Sequence, residues 1–541
     1  MPLRSPSSDI FVYSFCLTPV PYPTKVEKMQ NVNDIVALMA SPSTSDIALV
    51  QKAYDFAQKA HDGHLRNSGE PYFNHLFETA KNLAQIGMGA QTIAAGFLHD
   101  SIEDVGVLPE TIEKEFGKEV LFLVEGVTKL GSLKYRGVER HVESLRKLFV
   151  ATSQDVRVII IKLMDRLHNM KTLEHVREDK RHRIALETLE IYAPVADRLG
   201  MGRLKRDLED HAFPYVLPAE YERTKKLLSE RISKNSEPLE KNQNQLRKKL
   251  AVEGIREFRT EARIKGLYSL FKKIERKDGD IEKIYDIIAI RIIVPTLPDC
   301  YQALGVVHSM WRPLPGKIKD YIAFPKPNGY QSLHTTVFTG DGLIIEVQIR
   351  SESMHREAQW GIASHFAYKH QAEGRAKGPA HLVWLQQLLP GRRTATVSTG
   401  SNVGKDAFSP SDIPNWIREI AEAQEEVTES DEFLDNLRGD FFSHRVFVFT
   451  PKGDVIDLPI DSSPIDFAYA IHSDIGNHIA SSKVNGKMVS LDTRLKNGDI
   501  VEIDTKKTAK PSEKWLPLVK TSLARGHIKA IIGTKRKEAA E

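Results

Sequence analysis

Cysteine is nearly absent from this 541-residue chain, which contains only Cys16 and Cys300. Two cysteines exclude a disulfide framework and a cysteine-based zinc site, and their scarcity suits a reducing cytosol. No apolar run reaches the roughly 18 residues of a membrane span, so we expect a cytoplasmic protein without membrane contact. The net charge of +4 is slight and argues against a surface coated with nucleic acid.

A phosphate-binding loop of the GxxxxGK[ST] type is also missing, which excludes P-loop chemistry. The chain is too long for a single hydrophobic core, so several domains are expected. Residues 1–45 begin with a segment that prolines interrupt and that lacks the clean apolar core of a signal peptide. We predict that residues 1–45 form a disordered tail.

The stretch from Gly316 to Thr336 carries the most chemistry per residue. Its prolines and glycines disfavour a helix and favour turns, so a loop is predicted. Lys317, Lys319 and Lys326 could hold phosphates as compact point charges. Tyr330 offers an aromatic face on which a nucleobase could stack. The alternative is a solvated basic loop that binds nothing.

Two apolar runs flank this stretch, and each contains an acidic residue: Asp286 in YDIIAIRIIV and Glu346 in LIIEVQIR. Both runs are predicted to be buried strands. In the second, period two places Glu346, Gln348 and Arg350 on one face. In the first, the same period places Arg291 opposite Asp286 unless a bulge intervenes. Two carboxylates among cations suit phosphoryl transfer, in which one holds Mg²⁺ and the other takes a proton from a hydroxyl.

Upstream of these runs, ARIKGLYSLFKKIERK is predicted to form one amphipathic helix. The apolar stripe of this helix comprises Ile264, Leu267, Phe271 and Ile274. The polar face comprises Lys265, Ser269, Lys272 and Arg276. The polar face would add further cations beside the two flanking carboxylates.

Residues 46–217 show apolar spacings of three and four, which predict a helical domain. Within it, QTIAAGFLHDSIEDVG places His99 four residues before Glu103 and Asp100 four residues before Asp104. On a helix this spacing makes two adjacent polar stripes at the end of an apolar segment. A lone His-Asp pair is more often an ordinary surface pair. An HDxxED pattern with a second histidine and a distant aspartate is a much stronger signal.

That distant aspartate is Asp165, which VRVIIIKLMDRLHNMKTL places on one helix face with Asn169 and Thr172. Imidazole and carboxylate ligands together suit an octahedral divalent ion such as Mn²⁺. Such an ion would generate a hydroxide for hydrolysis. Glu103 and Asp104 could then orient or deprotonate the water.

The C-terminal half changes from helical to strand patterns. Residues 218–255 are predicted to be linking helices, and residues 391–441 a polar linker with one helix, IPNWIREIAEAQEEV. RVFVFTPKGDVIDLP then predicts a hairpin. SPIDFAYAIHSDIG predicts a helix capped by Ser463 or Asp461, and KVNGKMVS predicts a second tight turn at its Asn-Gly pair.

Together these motifs resemble the RelA/SpoT-homologue family of (p)ppGpp enzymes, over most of the chain from about Ala53 to about Ile531. RIKGLYSLFKK, IYDIIAIR, GKIKDYIAFPKPNGYQSLHTTV and EVQIRSESMH resemble its synthetase domain. The resemblance implies a multidomain fold. It comprises an all-α HD-type hydrolase domain at 46–217, an α/β nucleotidyltransferase-like synthetase domain with a mixed sheet at 256–390, and a small β-grasp (TGS) domain at 442–507.

For the hydrolase, the resemblance implies a Mn²⁺ site, a catalytic pair and a nucleotide pocket. The implied metal ligands are His75, His99, Asp100 and Asp165. The implied catalytic pair is Glu103 and Asp104, and the implied pocket residues are Arg66, Ser68, Asn169 and Thr172. The chain departs from the family pattern at Asn67, where a basic residue is common, and at Leu76, where proline is usual. Neither departure removes a ligand.

For the synthetase, the resemblance implies pyrophosphate transfer from ATP to the ribose 3′-OH of GDP or GTP, with Asp286 holding Mg²⁺ and Glu346 activating the hydroxyl. The implied ATP-binding residues are Arg263, Lys265, Ser269, Lys273 and Arg291. The implied GDP/GTP-binding residues are Lys319, Lys326, Asn328, Tyr330, His334 and Gln348. The loop Lys317-Ile-Lys319-Asp320 resembles the basic RxKD form of the bifunctional members, with lysine for arginine.

The TGS resemblance implies contact with deacylated tRNA on the ribosome through His472, whose alternative is an ordinary surface histidine. Residues 508–541 would be a partial helical segment, because the zinc-finger and ACT domains of long members are not present, which puts ribosome-dependent activation in doubt. The implied function is bifunctional synthesis and hydrolysis of (p)ppGpp in the stringent response. The alternative is a tRNA- or ribosome-binding stress sensor that retains one activity or neither.

Overall fold

The computed structural model describes residues 31–128, 150–326, 328–364, 445–496 and 498–538. The predicted linker at 391–441 and its polar helix lie outside the described residues, as does the first part of the predicted tail. Among the described helices, none combines the length and the apolar character that a bilayer crossing needs.

The N-terminal domain is helical, as predicted. Its helices are α1 Val32–Val36, α2 Thr44–Ala60, α3 Phe73–Gln85, α4 Ala90–Leu98, α5 Pro109–Phe116, α6 Lys118–Thr128, α7 Arg157–Lys171, α8 Glu178–Glu187, α9 Ala193–Arg198 and α10 Gly202–Val216. A 3-10 turn, Leu173–His175, and a π-helical turn, Thr188–Tyr192, connect some of them. The prediction of disorder up to residue 45 is wrong for its last part, because Val32 and Ile35 of α1 are buried in the core of this domain.

A single long helix, α11 Pro218–Val252, follows where linking helices were predicted. Its apolar residues recur at helical spacing, and Leu228, Ile232, Leu246 and Leu250 are buried in the core of the next domain. The helix is therefore packed against that domain along one face and is more than a solvated connection.

The central domain is built on a five-stranded mixed sheet, as the resemblance implied. Its strands are β1 Arg259–Ile264, β2 Ile288–Val294, β3 Arg312–Asp320, β4 Leu333–Phe338 and β5 Ile344–Ser351, and its helices are α12 Leu267–Glu275, α13 Leu297–Met310 and α14 Glu352–Trp360. The strand order is β1-β2-β5-β4-β3. Strands β2 and β5 are parallel, whereas the other pairs are antiparallel.

Three local predictions for this domain are wrong. The helix predicted to start at Ala262 is a strand up to Ile264, because that segment pairs with β2 in the register Ala262↔Ile290, and α12 begins only at Leu267. The loop predicted from Gly316 is strand up to Asp320, because β3 pairs with β4 there. Asp286 precedes β2 instead of lying in it, so the parity argument that placed it opposite Arg291 does not apply.

The sheet has one apolar face and one polar face. Strand alternation buries Ile290, Ile292, Val347 and Ile349 in the domain core, against which α13 packs. The opposite face carries the charged and polar residues of β1, β2, β4 and β5. In register, Arg291 pairs with both Glu261 and Gln348, and His334 also pairs with Gln348, so these groups share that face. The fold thus assembles one polar surface from four strands.

The C-terminal domain is small and carries two short sheets. Its elements are β6 Arg445–Phe449, β7 Val455–Pro459, α15 Pro464–Ile471, α16 Ser473–Asn477, β8 Ile479–Val484, β9 Lys487–Val489, β10 Val501–Thr505 and α17 Ser522–Glu538. The sheets are β6-β7 and β10-β8-β9, joined by a bridge between Phe449 and Ile500. Ser463 caps α15 in a capping box, as predicted. The Asn485–Gly486 turn has positive φ at both residues, as the Asn-Gly pair predicts.

Candidate active sites

Two histidines and an aspartate from three helical segments converge inside the N-terminal domain. His75 lies on α3, His99 follows the last residue of α4, and Asp165 lies on α7. All three are buried, and their candidate ligand atoms lie within 4.8 Å of one another. The Nε2 atoms of His75 and His99 are 3.3 Å apart, and His75 Nε2 is 3.2 Å from Asp165 Oδ1. Donor atoms of this kind, brought together in a buried space, fit a divalent metal ion.

Asp100 belongs to the same cluster. Its Oδ2 atom is 3.0 Å from His99 Nε2 and 3.6 Å from His75 Nε2, and it also accepts a hydrogen bond from the Tyr72 hydroxyl. Burial alone would lower the pKa of His99, but the carboxylates of Asp100 and Asp165 raise it to about 9. The four side chains that the sequence predicted as metal ligands therefore meet at one place.

Neighbouring groups orient these candidate ligands. The Nδ1 atoms of His75 and His168 are 2.8 Å apart, and Arg66 donates to the same Nδ1 atom of His168 over 3.1 Å. His168 must therefore accept both hydrogen bonds, so His75 carries its proton on Nδ1 and presents a free Nε2 lone pair to the cluster. Burial lowers the pKa of His168 to about 3, which keeps it a neutral acceptor. His99 is oriented in the same way by a 2.8 Å contact between its Nδ1 and the Gly96 carbonyl oxygen.

Arg66, Asn169 and Thr172 form a hydrogen-bonded group beside the cluster. Arg66 donates to Asn169 Oδ1 over 2.6 Å and to Thr172 Oγ1 over 3.2 Å, and Asn169 donates to Asp165 over 2.5 Å. Three of the four predicted pocket residues are thus connected. The fourth, Ser68, is half-buried, and its hydroxyl accepts a bond from the backbone of a near neighbour.

The HDxxED motif lies on a turn, so the prediction of helical stripes is wrong. Helix α4 ends at Leu98, after a run that is apolar and buried almost throughout. The polar residues that follow lie at the edge of the core: His99 is still buried, whereas Glu103 and Asp104 are exposed. The turn therefore separates the buried candidate ligands from an exposed acidic pair. The exposure of this acidic pair allows it to contact water or a bound nucleotide.

A second cluster lies on the polar side of the central sheet. One oxygen of Asp286 accepts from Lys265 over 2.8 Å and also from Lys273, which lies on α12. These lysines hold the pKa of Asp286 at about 2, against the opposing effect of burial. The other oxygen, Oδ1, is buried without a hydrogen-bond partner among the described residues. An ionised carboxylate with one unpaired buried oxygen fits the binding of a divalent cation.

Glu346 lies on the same polar face and is held by two neighbours. Its carboxylate contacts His334 Nδ1 at 3.0 Å and accepts from Gln348 Nε2 over 2.7 Å. Burial acts against ionisation, but these neighbours lower the pKa of Glu346. His334 also contacts the Tyr330 hydroxyl through Nε2, at 2.8 Å. The predicted base, Glu346, is therefore linked to two predicted guanosine-side residues, His334 and Tyr330.

The remaining predicted guanosine-side residues lie around Tyr330. The Lys326 ammonium lies 5.0 Å from the centre of the Tyr330 ring. Lys319 is exposed on β3 in register with His334. Asn328 donates to the backbone carbonyl of Asp197 in the helical domain over 3.1 Å. This loop therefore touches the N-terminal domain as well as the sheet.

The predicted ATP-side arginines are accompanied by a third arginine that the sequence did not single out as a site residue. Arg291 pairs with Glu261 over 3.0 Å. Arg263 lies two residues after Glu261 on β1 and therefore on the same face of the sheet. Arg350, on the same face of β5, is 3% exposed, and its Nε has no partner among the described residues. Burial and the neighbouring Arg291 lower its pKa to about 9. The alternation of LIIEVQIR placed Arg350 on this face, but no pattern assigned it a role.

His472 is exposed between α15 and α16 in the C-terminal domain. Its Nδ1 accepts the backbone N–H of Asp474 over 3.1 Å, so the imidazole caps the short helix α16. The local role is therefore structural, and the rest of the ring is accessible to a partner.

Three family models match the chain in the order of its domains. They are the HD domain at residues 53–202, the region found in RelA / SpoT proteins at residues 262–373, and the TGS domain at residues 446–505. Each match covers one of the three described domains. The first two contain the two clusters described above.

Curated relatives align along nearly the whole chain. A GTP pyrophosphokinase of Myxococcus xanthus is 44% identical over 91% of this chain and 61% of its own length. A guanosine-3′,5′-bis(diphosphate) 3′-pyrophosphohydrolase of Aquifex aeolicus is 44% identical over 90% of this chain and 65% of its own length. A pyrophosphohydrolase of the same name from Haemophilus influenzae is 38% identical over 90% of this chain and 67% of its own length. The chain thus spans roughly three fifths to two thirds of these relatives.

Proposed function

The chain belongs to the RelA/SpoT family, and from this premise we propose that it is a bifunctional enzyme that makes and removes (p)ppGpp in the stringent response. Relatives named for the synthetic reaction and relatives named for the hydrolytic reaction are equally similar to it, at 44% identity. The observation that carries the proposal is that the chain holds two separate clusters of reactive side chains. One lies within the helical domain and one lies on the polar face of the sheet.

In the proposed synthetic reaction, the sheet domain transfers pyrophosphate from ATP to the ribose 3′ oxygen of GDP or GTP. That oxygen bonds to the β-phosphorus of ATP, the bond from this phosphorus to the α-phosphate oxygen breaks, and AMP leaves with the electron pair. Glu346, ionised and oriented by His334, takes the hydroxyl proton. Lys319 and Lys326 would bind the guanosine phosphates, and Tyr330 would stack on guanine.

ATP would lie along β1, β2 and α12, which carry Arg263, Arg291, Ser269 and Lys273, with Lys265 in the connection between β1 and α12. Lys265 and Lys273 now neutralise Asp286, so they would exchange part of that contact for phosphate oxygens. Asp286 would hold Mg²⁺ through its unpaired oxygen. A bound Mg²⁺ would neutralise charge on the phosphates during transfer.

In the proposed hydrolytic reaction, the helical domain cleaves the 3′-diphosphate of (p)ppGpp to give GDP or GTP and pyrophosphate. The His75, His99, Asp100 and Asp165 cluster would hold Mn²⁺, and a bound Mn²⁺ would supply an acidified water. Arg66, with Asn169 and Thr172, and Ser68 would bind the nucleotide. Glu103 and Asp104, exposed on the turn, would orient the water or accept its proton.

The C-terminal domain extends the proposal to macromolecular partners. Its match to the TGS domain and the exposed ring of His472 support contact with deacylated tRNA on the ribosome. ATP, GDP or GTP and (p)ppGpp would be the small-molecule partners. The proposal therefore includes a cytoplasmic location, where these nucleotides and partners would be met.

A paired assay tests the proposal. The full chain is incubated with ATP, GDP and Mg²⁺, and then separately with ppGpp and Mn²⁺, and nucleotides are separated by chromatography. We expect ppGpp and AMP in the first reaction, and GDP and pyrophosphate in the second. Absence of conversion in both reactions would leave only the tRNA- or ribosome-binding role. Conversion in one of them would reduce the enzyme to a single activity.

A further inference from the structure

Helix α12, which carries Ser269 and Lys273 on the proposed ATP side, begins against a carboxylate of the helical domain. Its N-cap is Gly266, which has no side chain to accept a bond from the first turn. Asp210 of α10 supplies that acceptor, because its Oδ1 takes the backbone N–H of Tyr268 over 3.1 Å. A carboxylate at a helix N-terminus both satisfies a free N–H and opposes the positive end of the helix dipole.

The residue before Asp210 makes a second contact with the same helix. The hydroxyl of Ser269 donates to Glu209 Oε2 over 3.1 Å. Glu209 is nearly buried, and the only basic side chain within 4 Å of it among the described residues is Lys205, at 3.9 Å. This acid therefore holds in place a side chain that the proposed function gives to ATP.

An aromatic contact completes the junction. Phe213, one turn beyond Glu209 on α10, is fully buried and lies 5.3 Å from the ring centre of Tyr268 and 5.2 Å from that of Phe271. On the other side of α12, Leu270 and Ile274 are buried in the core of the sheet domain. Helix α12 thus lies between the sheet core and one face of α10.

Helix α10 itself belongs to the helical domain. Its residues Leu204, Leu208 and Ala212 are buried in that domain's core. The same helix therefore anchors in one domain and presents Glu209, Asp210 and Phe213 to the other. A helix of nine residues, as α12 is, has little stability of its own, so its position depends on these contacts.

We propose that Asp210 and Glu209, although carried by the hydrolase domain, are positioning residues for ATP binding in the synthetase domain. Asp210 fixes the start of α12, and Glu209 fixes the orientation of Ser269. Lys273, one turn after Ser269, then reaches Asp286 from the same helix. Both acids contact α12, and their role is exerted through it. The inference rests on the proposed synthetic function.

The test compares Asp210→Ala with Asp207→Asn in the full chain. Asp207 is an acid on the same helix whose ion pairs within 4 Å, among the described residues, are with Arg203 and Arg206 of that helix. Steady-state synthesis gives KM for ATP and for GDP, and hydrolysis of ppGpp is measured beside it. We expect D210A to raise KM for ATP roughly fivefold, the factor that corresponds to the loss of a helix N-cap. KM for GDP and the hydrolysis rate should stay within about twofold of D207N.

Two results would overturn the inference. One is a KM for ATP in D210A that equals that of D207N. The other is a parallel fall in synthesis and hydrolysis, which would show a general loss of structure. If D210A does not fold, Asp210→Asn replaces it, because asparagine keeps an acceptor oxygen and loses the charge. A KM for ATP in D210N equal to that of D207N would then overturn the role of the carboxylate charge.

A double-mutant cycle isolates Glu209. Glu209→Ala should raise KM for ATP roughly threefold in the natural chain, as expected for one hydrogen bond, and should add nothing further in Ser269→Ala. Full additivity would contradict action through Ser269. If the unaltered chain makes no ppGpp, the proposed function fails. If it makes ppGpp and D210A matches D207N, only the present inference fails.

Discussion

The two candidate sites of this protein differ in how complete they are before any substrate arrives. In the helical domain, ligand atoms from three segments already point at one another, and outer partners such as His168 fix their orientation. In the sheet domain, the cations Lys265 and Lys273 are paired with Asp286. The first site therefore needs only a metal ion and a nucleotide, whereas the second must exchange internal ion pairs for phosphate contacts.

The difference follows from the elements that carry each site. Buried helices hold His75 and Asp165 with little freedom, and the turn after α4 needs only to place the exposed Glu103 and Asp104. The sheet offers a rigid face, but part of its site lies on α12 and on the loop around Asn328, both of which touch the helical domain. The proposed hydrolytic site is thus contained within one domain, and the proposed synthetic site depends on two.

Among the substitutions considered, Asp165→Ala should have the largest effect on one site while leaving the other unchanged. It removes a candidate metal ligand and leaves His75 and His99 without their shared carboxylate. Hydrolysis of ppGpp in Mn²⁺ should fall by roughly a hundredfold or more, since even outer partners of a metal site are worth about 10- to 100-fold. Synthesis should be unchanged. Retained hydrolysis, measured by release of pyrophosphate, would show that Asp165 is not a ligand.

Glu346→Gln is the counterpart on the sheet. It keeps the shape of the side chain and removes the proton acceptor beside His334. Synthesis of ppGpp from ATP and GDP should fall by about 10²- to 10⁴-fold, the usual range for loss of a general base. Gln348→Glu is not a useful control because Gln348 donates to Glu346; Glu352→Gln, at the half-buried start of α14, where the carboxylate pairs with Arg259, is a better one. Synthesis by E346Q at the rate of E352Q would exclude Glu346 as the base.

His168→Ala tests the claim that the proposed hydrolytic site is preorganised. The substitution removes the acceptor that holds the proton of His75 on Nδ1. The Mn²⁺ concentration for half-maximal hydrolysis should rise by about 10- to 100-fold, and synthesis should not change. His175→Ala, at an exposed histidine after the same helix, is the matched control. Equal Mn²⁺ requirements in the two variants would mean that His168 does not orient the ligand.

The smallest expected effect concerns stability at the junction of the domains. Burial raises the pKa of Glu209 to about 7, helped by the nearby charges of Asp197 and Asp210 and opposed by Lys205 and Ser269. The folded chain thus keeps this proton to a higher pH than the unfolded chain does. The contribution of Glu209 to stability is therefore fully present below the ordinary glutamate pKa and is lost as the pH rises to about 7.

Glu209→Gln removes this dependence, because glutamine does not titrate. The difference in melting temperature, E209Q minus the natural chain, should therefore be more positive at pH 8 than at pH 5. Differential scanning calorimetry at the two pH values measures it, with Asp207→Asn as control. A difference that does not change with pH would mean that Glu209 titrates normally.

Sequence patterns predicted most of the candidate site residues because these lie in local motifs. The candidate histidine and aspartate ligands, Glu346 and the TGS elements each stand in a short run whose spacing or turn residues are distinctive. The patterns failed where the same spacing of apolar residues fits both a helix and a strand. Residues 262–264 continue an apparent helical stripe, yet they form a strand because β2 offers pairing partners that no local window contains.

Contacts between distant segments were also beyond the sequence. His168 is one more polar residue on α7, and its role comes from His75, which lies 93 positions earlier. Asp210 and Glu209 look like ordinary exposed acids of an amphipathic helix, and their partners lie 58 and 60 positions later. Such roles depend on how domains pack, which periodicity does not encode.

The separateness of the two sites is tested most directly by mixing two full-length variants, each of which should lack one of the two activities. ATP, GDP, Mg²⁺ and Mn²⁺ are supplied to D165A, and ppGpp is followed over time before and after E346Q is added. The account predicts that ppGpp accumulates with D165A alone and returns to GDP once E346Q is present, while ATP continues to be consumed. If ppGpp persists after E346Q is added, or never forms with D165A, the two reactions do not occupy separate sites.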